Sequence, residues 1–169
     1  PYEVITNNLV SNIFRYPEMP QYTQIGCCSF ERSIPSSDLP SIESTGRATR
    51  LWFLIYNNST YSLYSYDFAL LSNASVFRGN ISLPSNVTKI FDITWIPTDN
   101  SLVALCDSGI YRLSPGDSST NAILGNNISI TTSIISHSLF PIISPEIDSY
   151  KCSLEYNYYD NNLYMFSPI

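Results

Sequence analysis

Charged side chains are scarce in this chain. Lys, Arg, Asp and Glu make up 13% of its 169 residues, whereas an average soluble domain has roughly 25%. The formal net charge is −6, and nucleic-acid binding needs Lys and Arg to neutralise phosphates, so the composition argues against a nucleic-acid partner. Disorder is excluded as well, because 44% of the residues are hydrophobic and disordered segments have few such residues.

Long apolar runs and helical periodicity are also lacking. The longest unbroken apolar stretch is Leu51–Tyr56, whereas a bilayer-spanning helix needs about 20 apolar residues. No long segment places apolar side chains at positions i, i+3, i+4 and i+7, which is the pattern of an amphipathic helix. We therefore predict no membrane span in these residues and a fold built from strands.

Groups that commonly carry out catalysis are few. His137 is the only histidine, and its neighbours Ser136 and Ser138 would point to the opposite face of a strand. A Ser–His pair needs the two side chains to converge, and no Gly-x-Ser-x-Gly segment presents a nucleophile. The sequence therefore predicts a protein that is not an enzyme and uses no cofactor.

Aspartates are the remaining candidates for chemistry. Four of them lie in one region of the chain, namely Asp92, Asp99, Asp107 and Asp117. Two could meet across hairpins as the acid and base of a glycosidase-like enzyme, which is our second alternative function. The last three stand beside Asn, Ser or Gly, where aspartate caps its own turn. Asp160-Asn161-Asn162 offers oxygen atoms for calcium, but the spacing of a calcium-binding loop is missing. We predict no catalytic pair and no metal site.

Hydroxyl and amide side chains take the place of the missing charges: the chain has 27 Ser, 11 Thr and 15 Asn. Six asparagines begin an Asn-x-Ser/Thr sequon without proline, namely Asn57, Asn58, Asn73, Asn80, Asn86 and Asn127. Chance would produce about three sequons in such a composition. N-linked glycans are bulky, hydrated and confined to the surfaces of secreted proteins. We therefore expect glycosylation at several of these sites, but not at both of the adjacent Asn57 and Asn58.

Four cysteines, Cys27, Cys28, Cys106 and Cys152, allow three disulfide pairings. Cys27 and Cys28 are neighbours on a predicted strand, so their side chains point to opposite faces. We expect Cys106 and Cys152 each to pair with one of these two. Buried free thiols in a cytosolic protein are the alternative. Together with the sequons, the disulfide hypothesis predicts a secreted or cell-surface protein.

Short apolar runs fenced by Asn, Asp, Ser, Gly and Pro predict an all-β fold. Leu51–Tyr56 is apolar on both faces, as in a strand that is covered on both sides. In contrast, Cys152, Leu154, Tyr156 and Tyr158 alternate with polar residues. We expect one all-β domain over residues 1–169, with a loop-rich excursion at residues 33–47 after an N-terminal strand segment. The N-terminal strand candidates are Tyr2–Thr6, Leu9–Phe14 and Tyr22–Phe30.

Three polar turns, starting at residues 57, 97 and 159, each separate two apolar strands. This pattern predicts an antiparallel meander of hairpins that forms a β-sandwich. The spacing of 40 residues between the first two turns also matches one four-stranded propeller blade, so propeller-like blades are the alternative architecture.

These observations favour a non-catalytic extracellular or cell-surface glycoprotein domain with a structural, adhesive or assembly role, as in a fibre or a coat. Its expected partners are N-linked glycans and proteins, including further copies of the chain. The first alternative is a carbohydrate-binding module that uses exposed tyrosines. Tyr64 and Tyr66 lie two residues apart on one strand face, so they are candidate contacts with a ligand or partner if exposed, and ordinary core if buried.

Overall fold

The computed structural model describes residues 24–32, 48–68, 75–116, 121–128 and 143–168. These ranges form ten strands and one short 3-10 helix, so the predicted all-β class is confirmed. The strands are β1 Gln24–Arg32, β2 Ala48–Asn57, β3 Thr60–Asp67, β4 Val76–Ser82, β5 Ile90–Ile96, β6 Ser101–Cys106, β7 Gly109–Ser114, β8 Ala122–Asn127, β9 Ser153–Asn157 and β10 Asn162–Phe166, and the 3-10 helix is Ser149–Lys151.

Two antiparallel meanders of four strands each make up most of the fold. Strands β1–β4 form the first and β5–β8 the second, and a short parallel pairing of β4 with β8 joins them in the order β1-β2-β3-β4-β8-β7-β6-β5. The sheet curls until β1 approaches β5, where the Trp95 backbone N–H donates to Ser29 Oγ over 3.0 Å. The predicted hairpin meander is thus confirmed, but its strands form one sheet that is nearly closed into a barrel rather than the predicted β-sandwich, because the sheet curls until its two edge strands approach each other.

Asparagines shape the turns between these strands. The β2–β3 turn has two central residues, Asn58 and Ser59, both in the left-handed region at φ 48° and 63°. This is the twist that two-residue hairpins favour. Four-residue turns join β5 to β6 and β9 to β10, and each ends in a left-handed asparagine, Asn100 (φ 49°) or Asn161 (φ 57°). The predicted turns are confirmed, although the first begins one residue later, at Asn58, and the third one residue earlier, at Tyr158.

The 40-residue spacing between the first two predicted turns does not mark a structural repeat, because the two turns occupy different positions in their meanders. The turn at residue 57 is the second hairpin of the first meander, whereas the turn at residue 97 is the first hairpin of the second meander. The spacing therefore reflects similar hairpin chemistry rather than repetition of one structural unit.

The barrel core lies between the two meanders. Trp52 and Leu54 of β2 point into it, while Leu51, Phe53 and Ile55 point outward into a second cluster. All five are buried, which confirms the prediction of a strand covered on both faces. The indoles of Trp52 and Trp95 stack across the core with centroids 6.5 Å apart, so they join the meanders by apolar contact.

The β9–β10 hairpin covers the outer face of the second meander. Leu154 and Tyr156 of β9 pack against Val103 and Leu105 of β6. The predicted alternation along β9 is confirmed, because Leu154 and Tyr156 are buried and Glu155 is exposed. Several sequence predictions lie outside the described residues, namely those on Tyr2–Thr6, Leu9–Phe14, residues 33–47, Asn73, Asp117 and His137.

Candidate functional site

The glycosylation sequons of the described residues share one end of the barrel. Strands β2, β4, β6 and β8 all run toward the same end, as their pairings require. That end therefore contains the β2–β3 turn, residues 83–89, the β6–β7 turn and the end of β8. Five exposed sequon asparagines lie at or near this end: Asn57, Asn58, Asn86 and Asn127, together with Asn80, which lies on β4 two residues before the strand ends. We call it the acceptor end.

The exposed asparagines that the structure describes at the opposite end do not begin sequons. Asn100 ends the β5–β6 turn, Asn121 precedes β8, and Asn161 lies in the β9–β10 turn. Tyr156 places the last of these near the β5–β6 turn, because its hydroxyl bonds to Asn161 Oδ1 at 2.9 Å and lies 3.4 Å from Thr98 Oγ1. At the acceptor end, Asn126 is exposed without a sequon and adjoins Asn127. The two ends therefore differ: the sequons that the structure describes lie toward the acceptor end and not toward the opposite end.

The segment that carries Asn86 is held in place by a buried carboxylate. Asp107 accepts the Thr88 hydroxyl at 2.6 Å, the Thr88 backbone N–H at 3.1 Å and the Lys89 backbone N–H at 3.4 Å. The Asn86 amide itself donates to Tyr111 Oη at 2.9 Å. The acceptor end thus has a defined backbone rather than a loose loop.

The aspartates singled out in the sequence bond to separate partners. Asp99 forms an exposed ion pair with Arg112 at 2.6 Å, at the opposite end from Asp107. Asp92 accepts the backbone N–H groups of Ile93 and Leu154, each at 2.9 Å. Asp107 therefore holds a neighbouring segment instead of capping its own turn. The structure does not join Asp92, Asp99 and Asp107 into a carboxylate pair.

A small cavity of about 320 Å³ lies beside Asp92 and is also lined by Cys28, Glu155 and Tyr158. Burial raises the pKa of Asp92 to about 6, although its two backbone N–H bonds oppose this shift. Because both carboxylate oxygens are engaged by backbone N–H groups, Asp92 anchors β9 to β5.

The predicted disulfides are not formed, since all four cysteines have free thiols. Cys27 packs against the barrel core that contains Cys106, Cys152 belongs to the cluster under β9, and Cys28 is exposed. Burial raises the pKa of the Cys27 and Cys106 thiols, which disfavours the reactive thiolate. The expected disulfides are absent because Cys27, Cys106 and Cys152 serve as small apolar side chains of two different clusters.

Tyr64 and Tyr66 share a strand face, but that face belongs to a packed aromatic cluster. Tyr66 is buried and Tyr64 is half-buried. The Tyr64 ring lies 5.6 Å from that of Phe53 and 5.3 Å from that of Phe77, between centroids. These contacts agree with the alternative in which Tyr64 and Tyr66 belong to the apolar core rather than to a surface that contacts a ligand.

A larger cavity of about 810 Å³ opens at the acceptor end, where the barrel interior meets solvent. Three tyrosines line it: Tyr56 from the end of β2, Tyr61 from the start of β3 and Tyr150 from the 3-10 helix. The rings of Tyr56 and Tyr61 lie 4.7 Å apart at a tilt of 43°. Burial raises the pKa of Tyr61 to about 12, and its hydroxyl accepts the Ile90 N–H at 3.1 Å.

Polar groups complete the cavity wall. Thr88, Lys89, Asp148 and Ser149 line it beside the tyrosines. Lys89 Nζ donates to the Ile147 carbonyl at 2.6 Å and to the Pro145 carbonyl at 3.1 Å, which ties the segment before the 3-10 helix to the barrel. Sequence reasoning missed this site. Tyr56 and Tyr61, which flank the β2–β3 turn, could have indicated an aromatic site, but no feature of the nearby sequence shows that Tyr150 lies at the same cavity.

The opposite mouth of the barrel is filled by charged side chains. Arg50 and Arg78 lie over the Trp52 ring, with guanidinium carbons 5.3 Å and 5.6 Å from its centroid. Glu31 accepts the Trp52 indole N–H at 2.8 Å and pairs with Arg50 at 3.3 Å. Lys151 Nζ also lies 5.5 Å from the Tyr150 ring centroid at the acceptor mouth, but Tyr150 stays 82% exposed, whereas Trp52 at the other mouth is buried under its cations.

Comparisons with protein families, with curated proteins and with solved structures give no match for this chain. Among the described residues, no group of three or more His, Cys, Asp or Glu side chains is placed to hold a metal ion. The same ranges contain no helix of a length and apolarity that would cross a bilayer.

Proposed function

We propose that this chain is a non-catalytic glycoprotein domain of the extracellular space or cell surface, which acts through structural or adhesive contacts and assembles with further copies. The main support is the placement of five exposed sequon asparagines at one end of the barrel. Glycans on that end would hydrate a chain with only 13% charged residues. They would also leave the β9–β10 hairpin on the barrel flank free for contacts.

Exposed aromatic side chains on the β9–β10 hairpin support the contact role. Tyr159 is 81% exposed and Phe166 57%, and Tyr164 also faces solvent. Aromatic residues are enriched in protein interfaces because they combine a large apolar area with few rotatable bonds. The hairpin carries these side chains on its uncovered face, while Leu154 and Tyr156 pack beneath it.

Sedimentation velocity of protein secreted from a eukaryotic host tests this proposal. We expect the sedimentation coefficient to rise with concentration, and the double substitution Tyr159→Ser with Phe166→Ser to suppress that rise. Tyr150→Ser is the matched control, because Tyr150 is as exposed as Tyr159 but lies at the acceptor end. A chain that stays monomeric at every concentration, or that assembles unchanged in the double variant, would contradict the assembly role.

A further inference from the structure

We propose that the cavity at the acceptor end is a saccharide-binding site. Its volume of about 810 Å³ lies within the range of pockets that hold small molecules, roughly 300–1,000 Å³. It occupies the mouth of a barrel, a common position for ligand sites. This inference goes beyond the proposed assembly role, which uses the β9–β10 hairpin.

The cavity offers open aromatic surface of the kind that a sugar ring requires. Tyr150 is 82% exposed and Tyr56 47% exposed, so much of their ring area has no covering side chain. One face of a pyranose ring is lined by C–H groups and its rim by hydroxyls, which matches the apolar ring and polar hydroxyl of tyrosine. Tyr61 supports Tyr56 from behind, since its own hydroxyl is fixed on the Ile90 backbone.

Hydrogen-bonding groups surround these rings. Thr88 and Ser149 carry hydroxyls, Lys89 carries an ammonium and Asp148 a carboxylate. The Lys151 side chain bonds to Asp148 and lowers its pKa, so this carboxylate accepts hydrogen bonds at neutral pH. One cation and one anion line the cavity, and this balance favours a neutral polar ligand over an anion or a cation.

The walls of the cavity are fixed before any ligand arrives. Asp107 holds the backbone of Thr88 and Lys89, and Lys89 in turn holds the segment that leads to Tyr150. A backbone that is held in advance avoids the entropy cost of ordering these segments on binding. Such rigidity suits a ligand that offers many weak contacts.

Two sources of saccharide fit this position. Asn57 and Asn58 directly follow Tyr56, so a glycan attached there would begin beside the cavity. A glycan of another molecule would present the same ring and hydroxyl chemistry.

Binding of N,N′-diacetylchitobiose and of lactose to the secreted protein tests the site, by saturation-transfer NMR and calorimetry. We expect at least one of these neutral disaccharides to bind, and Tyr150→Ala to weaken that affinity about tenfold, because an aromatic contact is lost. Phe30→Ala, which changes an exposed aromatic side chain at the opposite end that belongs neither to this cavity nor to the β9–β10 hairpin, is expected to leave the affinity unchanged. Failure of both probes to bind the wild type and also the variant without the β2–β3 sequons described below, or equal binding by the Tyr150 variant, would overturn the proposal.

The double substitution Ser59→Gly with Thr60→Val separates the two sources. It removes both sequons of the β2–β3 turn while glycine suits the left-handed φ of 63° at position 59. If the attached glycan occupies the cavity, the double variant will bind the free disaccharide more tightly than the wild type. If the saccharide comes from another molecule, both proteins will bind it equally.

Discussion

Replacing Asp107 by alanine tests whether one buried carboxylate holds the acceptor end together. Asp107 accepts hydrogen bonds from the Thr88 hydroxyl, the Thr88 N–H and the Lys89 N–H. Hydrogen bonds to a charged group contribute about 1.5–3 kcal/mol each. Thr88 is exposed and Lys89 half-buried, so water will replace part of this bonding. We therefore expect Asp107→Ala to lower the free energy of unfolding by about 2–4 kcal/mol.

Urea unfolding followed by tryptophan fluorescence measures this loss, and Asp99→Ala is the matched control. Asp99 also lies in a hairpin turn, but its ion pair with Arg112 is exposed on both sides. Exposed ion pairs contribute roughly 0–1 kcal/mol, so we expect a loss of less than about 1 kcal/mol in the control. Equal losses in the two variants would refute the structural role of Asp107.

Two further changes probe the strand packing. Burial raises the pKa of Asp92 from 3.8 to about 6, so the folded state holds this proton more tightly than the unfolded state. The contribution of Asp92 to stability should therefore be greatest below pH 3.8 and be lost as the pH rises through about 6, by up to ~3 kcal/mol. Asp92→Asn should flatten this dependence in urea titrations across that range, and an unchanged slope would contradict the assignment. Phe53 is fully buried and Phe30 is 44% exposed. Phe53→Ala should therefore lower the free energy of unfolding by about 3–5 kcal/mol, measured by thermal or urea unfolding, and Phe30→Ala should lower it much less. Similar losses in the two variants would argue against the packing of β2.

Local sequence signals were sufficient for the hairpin turns and for several of the strands, although they did not predict β4 or β8. Asn58 and Ser59 can take the left-handed conformation that a two-residue hairpin needs, and their apolar flanks mark the paired strands. The unbroken apolar run of β2 correctly indicated burial on both faces. Such features depend on neighbours in the chain, which the sequence displays directly.

Contacts between segments that are distant in the sequence could not be predicted from local sequence patterns. The parallel pairing of β4 with β8 involves only Ile81 and Ser82 opposite Ala122 and Ile123, and no residue type specifies it. The strand face shared by Tyr64 and Tyr66 was predictable, but its burial depends on Phe53 and Phe77.

The pairing of the cysteines and the position of the cavity also depend on contacts between segments that are distant in the sequence. Cysteine spacing gives the possible pairings but not the distances between sulfur atoms, and the four thiols are free in the folded chain. The cavity needs Tyr150 beside Tyr56, and their approach depends on the bonds that Lys89 makes to residues 145 and 147.

Site-resolved mass spectrometry of the protein secreted from a eukaryotic host tests the central claim most directly. Peptides are mapped before and after enzymatic removal of N-glycans, and occupancy is assigned to each sequon asparagine. We expect glycans at Asn80, Asn86 and Asn127 and at one of Asn57 and Asn58, which together would cover the acceptor end. Bare asparagines at all of these positions would contradict the account of a glycan-bearing extracellular domain.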